Sequence, residues 1–253
     1  MATLKVPKSE IERITRLTPQ IIEKLNLMGI PIEAVHQDEI EFEVLPNRPD
    51  ILSIQGYLRA LRAFLGKETG LKKYHLKSPE RGYTVKIDQS VKNIRPYTAC
   101  AIVKNMTFND QRIKEIIDVQ EKLHMTIGRN RKKIAIGIYP LEKITLPIRF
   151  EARKPEDIKF IPLESEKEMN GLQVLQSHPT GREYAHLLEG SPLFPVFVDA
   201  KGKILSMPPI INSHDTGKIT KETKEIFIEC SGFDIDILKK ALNILVTTLA
   251  EMG

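Results

Sequence analysis

LSMPPIINSHDTGKIT, residues 205–220, places two prolines back to back. Pro208 and Pro209 remove two backbone donors and fix φ twice. Ile210 and Ile211 follow and require burial. Asn212, Ser213, His214, Asp215, Thr216 and Gly217 are all residues that favour turns. A strand that stops, bends rigidly and then displays short polar groups can line a pocket with fixed hydrogen-bond partners. A strand end followed by a plain surface loop accommodates the same residues.

The flanking sequence feeds this segment with strands. LFPVFV (193–198), DAKG and KILSM predict a hairpin with Gly202 at its turn. Residues 225–231 alternate, with Ile226, Ile228 and Cys230 on one face and Phe227, Glu229 and Ser231 on the other. Glu229 and Ser231 therefore make a polar spot on one strand face. A closing helix over 235–252 buries Ile235, Leu238, Leu242, Leu245 and Leu249. Upstream, strands are expected over 83–87, 97–103 and 134–139. Between the last two, Ile113, Ile116, Ile117, Gln120, Leu123, His124 and Ile127 recur at helical spacing, with Gly128 as the stop. Gln120 interrupts an otherwise mostly apolar stripe. A buried amide needs partners, and backbone or a pocket ligand would each supply them.

RNRKK (129–133) suits a helix C-terminus. It reads either as a solvated basic turn or as a phosphate contact. Residues 150–170 are charged and irregular, an excursion anchored by Ile161, Pro162 and Leu163. The single His186 in GREYAHLL (181–188) reads as a structural hydrogen-bonding residue. Residues 7–66 read as a small, mostly helical unit with one strand over 39–45. PNRPD (46–50) is a rigid connection into a helix whose stripe is Ile51, Ile54, Leu58, Leu61 and Leu65, with Asp50 placed to cap it. The lysine-rich residues 67–82 connect the two units.

The expected fold is therefore α+β: a small helical N-terminal domain with its connection (1–82), then a larger domain of mixed sheet and helix (83–253). The 253 residues suffice for two cores, and a net charge of +5 is compatible with an anionic partner. No run of about 18 apolar residues suggests a membrane span, and the charged N-terminus has no signal-peptide core. Two cysteines without metal-ligand spacing suggest a reducing, cytoplasmic setting. There is no phosphate-binding GxxxxGK[ST], no GxGxxG, no HExxH, no paired CxxC and no GxSxG. Any active site here must work by positioning a substrate and a water.

Two groups of segments carry a family resemblance. NRPDILSIQGYLRALRAFLG resembles the N-terminal domain of the β subunit of phenylalanyl-tRNA synthetase. IRPYTACAIV, QEKLHMTIGRNRKKIAIGIYPL, GREYAHLL and SMPPIINS, in that order, resemble that subunit's editing domain in its archaeal and eukaryotic form. The resemblance implies an N-terminal piece of a longer subunit. It implies hydrolysis of tyrosine wrongly esterified to the phenylalanine tRNA, with the aminoacylated tRNA end and the synthetase α subunit as partners. DNA and membrane are not implied. Neither is a metal or a cofactor on these residues, since ATP and magnesium belong to the whole synthetase. It places Gln120, Glu121 and Asn212 at the reacting end, and Arg131, Lys132 and Lys133 on the tRNA. It places Leu163, Phe197, Ser206, Lys218, Glu229 and Ser231 along the substrate pocket. Lys218 stands where the family more often has Arg, Glu229 and Ser231 where it has Asp and Thr, and Phe197 where it has a smaller aliphatic residue. A non-catalytic tRNA-docking module with the same fold is the competing reading.

Overall fold

The structure, a computed structural model, describes residues 2–252. The first elements are β1 (Ala2–Pro7), α1 (Lys8–Glu12), α2 (Pro19–Asn26), β2 (Ile32–Val35), β3 (Glu39–Val44) and α3 (Ile54–Phe64). Then come β4 (Val85–Ile87), β5 (Tyr97–Val103), α4 (Asp110–Met125), β6 (Ile134–Pro140) and β7 (Ile148–Arg153). The small elements β8 (Lys159–Phe160), β9 (Met169–Asn170), α5 (Gly171–Ser177) and α6 (Pro179–Tyr184) lead into β10 (Phe194–Val198), β11 (Ile204–Met207), β12 (Ile211–Asn212) and α7 (His214–Gly217). β13 (Ile226–Gly232) and α8 (Ile235–Met252) come last. The fold class is α+β.

Two sheets face each other. One has the order β5-β13-β6, the other β12-β11-β10-β7-β4. Between them lie Val91, Tyr139, Phe150, Phe197 and Phe227, with Phe150 and Phe197 stacked at 4.2 Å between ring centroids. The opposite face of the three-stranded sheet presents Ile136, Ile138, Ile226, Ile228 and Cys230 to α4, α8 and the first unit. The opposite face of the five-stranded sheet presents Val196 and Val198 to Val174 of α5 and Leu188. The period-two alternation of β6 and β13 thus serves two cores at once, one on each face.

Three local expectations are corrected. The first unit, expected over 7–66 to be mostly helical with one strand, also holds β1 and β2, which with β3 form a three-stranded antiparallel sheet, β1-β3-β2. Ala2, Leu4 and Val6 bury one face of β1, while Lys5 on the other face pairs with Glu39 and Glu41 of β3. Residues 148–153, placed partly in an irregular excursion, are instead the strand β7, second from one edge of the larger sheet. Asp50 does not cap α3. Its carboxylate takes two bonds from Arg48, at 2.9 and 3.0 Å, and Ser53 is the N-cap, its hydroxyl accepting from Gly56 N.

The first unit and the last helix share a core. Leu58 and Leu61 of α3 belong to the same apolar cluster as Leu238, Leu245 and Leu249 of α8. Ser53 Oγ and Thr248 Oγ1, both buried, lie 3.0 Å apart across that contact. The connection over 67–82 is pinned by Tyr74, whose hydroxyl bonds to Glu251, itself paired with Lys72 at 2.8 Å. His36, Glu39 and Glu41 bring their ligand atoms within 4.8 Å of one another, but Lys5 sits on both glutamates. Among the described residues no helix is long and apolar enough to cross a membrane.

Candidate ligand pocket

The pocket forms where the edge strands of the two facing sheets, β6 and β12, come together under α4. The residues of the Pro-Pro segment supply one wall. β11 and β12 form a hairpin whose turn is Pro208, Pro209 and Ile210, closed by Ile210 N donating to Met207 O at 2.9 Å. Pairing across the hairpin sets Ser206 directly opposite Asn212. Directly opposed residues share a face, so both polar groups face the same way. The short helix α7 then turns back. A Cβ on Gly217 would stand 2.9 Å from Asn212 Cβ, so glycine there lets α7 lie against Asn212.

α4 supplies the second wall and also satisfies an edge strand. Gln120 Nε2 donates to Ile136 O at 2.9 Å, and Ile136 N donates to His124 Nε2 at 2.8 Å. Both outward backbone groups of one β6 residue are thereby paired with side chains. Because His124 Nε2 accepts, the ring proton sits on Nδ1 and points at Glu121 Oε1, 3.2 Å away. Burial holds the His124 pKa down, so the ring is neutral. Burial also opposes the charge on Glu121, but hydrogen bonds from His124 and Arg131, together with the Arg131 charge, outweigh it and hold the carboxyl down at about 2.

The cavity has a volume of about 510 Å³. Its walls are largely apolar: Ile113, Ile116, Ile117, Ile136, Ile138 and Ile211. Gln120, Glu121, Arg131, Leu163, Ser206, Asn212, Lys218 and Glu229 all line it, although they come from segments far apart in the sequence. At its floor two buried atoms have no hydrogen-bond partner among the described residues: Ser206 Oγ and Glu229 Oε2. Burial pushes the Glu229 carboxyl up to about 8, against the pull of Arg95 and Tyr139, so at neutral pH it is mostly the neutral acid.

Four expected site residues lie elsewhere or are engaged otherwise. Ser231 does not line the cavity. It is fully buried, and its hydroxyl accepts from Arg95 Nε at 3.0 Å while its carbonyl accepts from Arg95 Nη2 at 2.6 Å. Phe197 lies one strand further in, opposite Ser206, and its ring packs on Phe150 between the sheets. Arg131 is not part of a solvated basic run. Its side chain donates to Ile210 O at 2.7 Å and to Glu121 at 3.0 and 3.1 Å, and its guanidinium lies 4.4 Å from the centre of the Tyr184 ring. Glu121 is correspondingly occupied. Arg129 and Lys132 are exposed and Lys133 is half-buried; none of the three has an acidic partner among the described residues, and none lines the cavity.

Arg129, Asn130 and Arg131 are consecutive residues with positive φ, 49°, 51° and 64°. Each such conformation costs a side-chain-bearing residue about 1–2 kcal/mol. The turn persists because Arg131 N bonds to His124 O and Lys133 N to Gly128 O, and because the Arg131 side chain is locked to three partners.

Three residues that matter here carried little signal. Arg95 reads as part of a turn before Pro96, yet it is the buried cation beside Glu229 and Ser231, its pKa lowered to about 10 by that burial. Tyr139 reads as the last residue of a strand, yet its hydroxyl reaches Glu229 Oε1 at 3.2 Å. Gly137 faces Glu229 across the strand pair. The small residues Ala135 and Gly137 on the Tyr139 face of β6 are the one hint that this face leaves room for something.

Comparisons with known proteins bear on this arrangement. Residues 80–252 match the model of the B3/4 domain family. The phenylalanine–tRNA ligase β subunit of Methanocaldococcus jannaschii is 40% identical over 258 residues, covering 99% of this chain and 46% of that protein. That of Thermococcus sibiricus is 44% identical over 207 residues, covering 82% of this chain and 37% of that protein. The chain thus spans less than half the length of these curated relatives. A crystal structure of an N-terminal fragment of the phenylalanyl-tRNA synthetase β subunit from Pyrococcus horikoshii superposes with a TM-score of 0.91 at 37% identity, covering 100% of this chain and 74% of that one. With the B3/4 match over most of its length and that agreement in fold, the chain belongs to the phenylalanine–tRNA ligase β-subunit family.

Proposed function

We propose that this chain is the N-terminal part of a phenylalanine–tRNA ligase β subunit and that its pocket hydrolyses tyrosine wrongly esterified to the phenylalanine tRNA. In this reading residues 1–82 are an N-terminal domain with its connection, residues 83–253 are the editing domain, and the partners are the aminoacylated tRNA end and the synthetase α subunit. A binding site for phenylalanine rejects tyrosine poorly, because the two differ by one hydroxyl, and a second site that hydrolyses the wrong ester raises fidelity.

One observation carries the proposal: Ser206 Oγ and Glu229 Oε2 lie buried and unpartnered at the floor of an otherwise apolar cavity. A phenol hydroxyl satisfies both. It donates to Glu229 Oε2 and accepts from Ser206 Oγ. Phenylalanine leaves both atoms buried and unpaired, at about 1–3 kcal/mol each. Asn212 and Gln120, nearer the mouth, have hydrogen-bonding capacity left to orient the ester and a water. Arg131 and Glu121 hold the Pro-Pro turn and α4 in register around them. Lys132 and Lys133, with the exposed Arg129 beside them, are free to meet tRNA phosphates.

The non-catalytic docking reading has one observation in its favour: the carboxylate beside Gln120 in the cavity wall, Glu121, is committed to His124 and Arg131. The deciding experiment is deacylation of Tyr-tRNA by the complete synthetase, with and without Asn212→Ala. A rate reduced about 10²-fold or more, typical for loss of one positioned polar group, supports editing at this pocket. An unchanged rate overturns it.

A further inference from the structure

Tyr139 makes no contact assigned above to a ligand, yet its hydroxyl is the hub of the polar floor. It lies 3.2 Å from Glu229 Oε1 and 3.4 Å from Asn212 Oδ1. The residue is fully buried and does not line the cavity. Its ring stacks on Phe227 at 5.9 Å between centroids, which fixes the direction of the hydroxyl. Space for that hydroxyl exists only because residue 137 is glycine. A Cβ there would overlap the Tyr139 hydroxyl and stand 2.6 Å from Glu229 Oε1.

A phenol has one proton to give. Asn212 Oδ1 can only accept, so it is satisfied when Tyr139 donates to it. Tyr139 can spare its proton when Glu229 supplies one in return, from Oε1. Burial, with Glu229 close by, keeps the Tyr139 phenol protonated, and burial of Glu229 favours its neutral acid. The donors then run in one direction, from Glu229 Oε1–H to the Tyr139 oxygen and from Tyr139 O–H to Asn212 Oδ1. Glu229 Oε2 is left as a bare acceptor, and the Asn212 amide is turned so that Nδ2, a donor, is free.

We infer that Tyr139 is a positioning residue for ligand choice: by holding Glu229 Oε1 and Asn212 Oδ1, it presents the cavity with an acceptor at Glu229 Oε2 and a donor at Asn212 Nδ2. The ligand this pattern fits donates a hydroxyl at its buried end and offers an acceptor oxygen at its other end, as a tyrosyl ester does. The inference rests on the editing reading, which requires a phenol-recognising floor but gives Tyr139 no part in it.

The test is calorimetric titration of this chain with the 3′-amide-linked tyrosyl and phenylalanyl derivatives of adenosine, which mimic the ester without being hydrolysed. Wild type is expected to prefer the tyrosyl analogue by about tenfold or more. Tyr139→Phe is expected to cut tyrosyl affinity about tenfold with phenylalanyl affinity unchanged, bringing the ratio close to one. An equal fall in both affinities assigns Tyr139 a structural role and overturns the inference, as does an unchanged ratio. Glu229→Gln places an N–H where the acid O–H points at Tyr139, so it is expected to retain most of the tyrosyl preference that Glu229→Ala loses. If the two Glu229 variants behave alike, the donor order is wrong, and this comparison decides alone should Tyr139→Phe not fold. Failure of wild type to bind either analogue sinks the editing reading itself. Tyrosyl preference that survives Tyr139→Phe sinks only the role of Tyr139.

Discussion

Glu229 holds a protonation state that costs native stability as pH rises. Its folded pKa is about 8 against an ordinary 4.5, because it is fully buried. Below about 4.5 folded and unfolded chains both keep the proton, and Glu229 adds no pH dependence. Between about 4.5 and about 8 the unfolded chain releases it while the native chain does not, so this group makes stability fall with rising pH. Glu229→Gln removes the titration. Urea denaturation of both proteins from pH 5 to pH 9 should show the variant gaining on wild type across that range; parallel profiles would mean that Glu229 ionises normally. Gly137 gives a second test of the same cluster. Adding one methyl at Gly137→Ala forces Tyr139 or Glu229 to move, and over-packing of this kind costs about 1–3 kcal/mol. Urea denaturation reads that cost directly, and a variant as stable as wild type would show that the cluster can relax.

The turn between α4 and β6 divides its basic residues between two jobs. Arg131 holds Ile210 O, Glu121 and the Tyr184 ring, so it ties the Pro-Pro hairpin to α4. Lys132 and Lys133 have no such ties. Replacing Lys132 and Lys133 by Ala should weaken tRNA binding and lower the slope of log affinity against log salt by about 1 per lost phosphate contact. Arg131→Ala should leave that slope unchanged and instead lower the melting temperature and the deacylation rate. Filter binding at several salt concentrations separates the two, and a changed slope for Arg131→Ala would return it to the tRNA surface.

At the scale of the whole molecule, the first unit and the last helix stand or fall together. Leu61 is fully buried in the cluster that also holds Leu245 and Leu249 of α8. Leu61→Ala should cost about 2–5 kcal/mol. Because the core is continuous, probes in the first unit and in the B3/4 region should unfold at the same denaturant concentration. Two separated transitions would show that the shared cluster does not couple them.

Much of this was legible in the residues. Period-two alternation located β3 and β13, the turn at Gly202 located the β10–β11 hairpin, and helical spacing located α3, α4 and α8, because burial on one face imposes those periods whatever the partner. Gln120 stood out because it interrupts an apolar stripe and Asn212 because it follows the rigid Pro-Pro bend, whereas Ser206 came only through the resemblance; all three reach the pocket. β1 and β7 were not recognised, although β1 alternates clearly. A strand pairs with segments distant in sequence, and β7 depends on β10 and β4, which its own residues do not mention. What the sequence alone determined was the inventory: which segments are strands or helices, which polar groups sit on apolar faces, and through the resemblance, the family. Only the tertiary structure decided how that inventory is used. Arg95 became a buried partner of Ser231, Arg131 an internal clamp, and Tyr139 the hub of the pocket floor. Side-chain burial and hydrogen-bond partners depend on where two facing sheets bring their edges together, and that meeting is a property of packing between residues far apart in the chain.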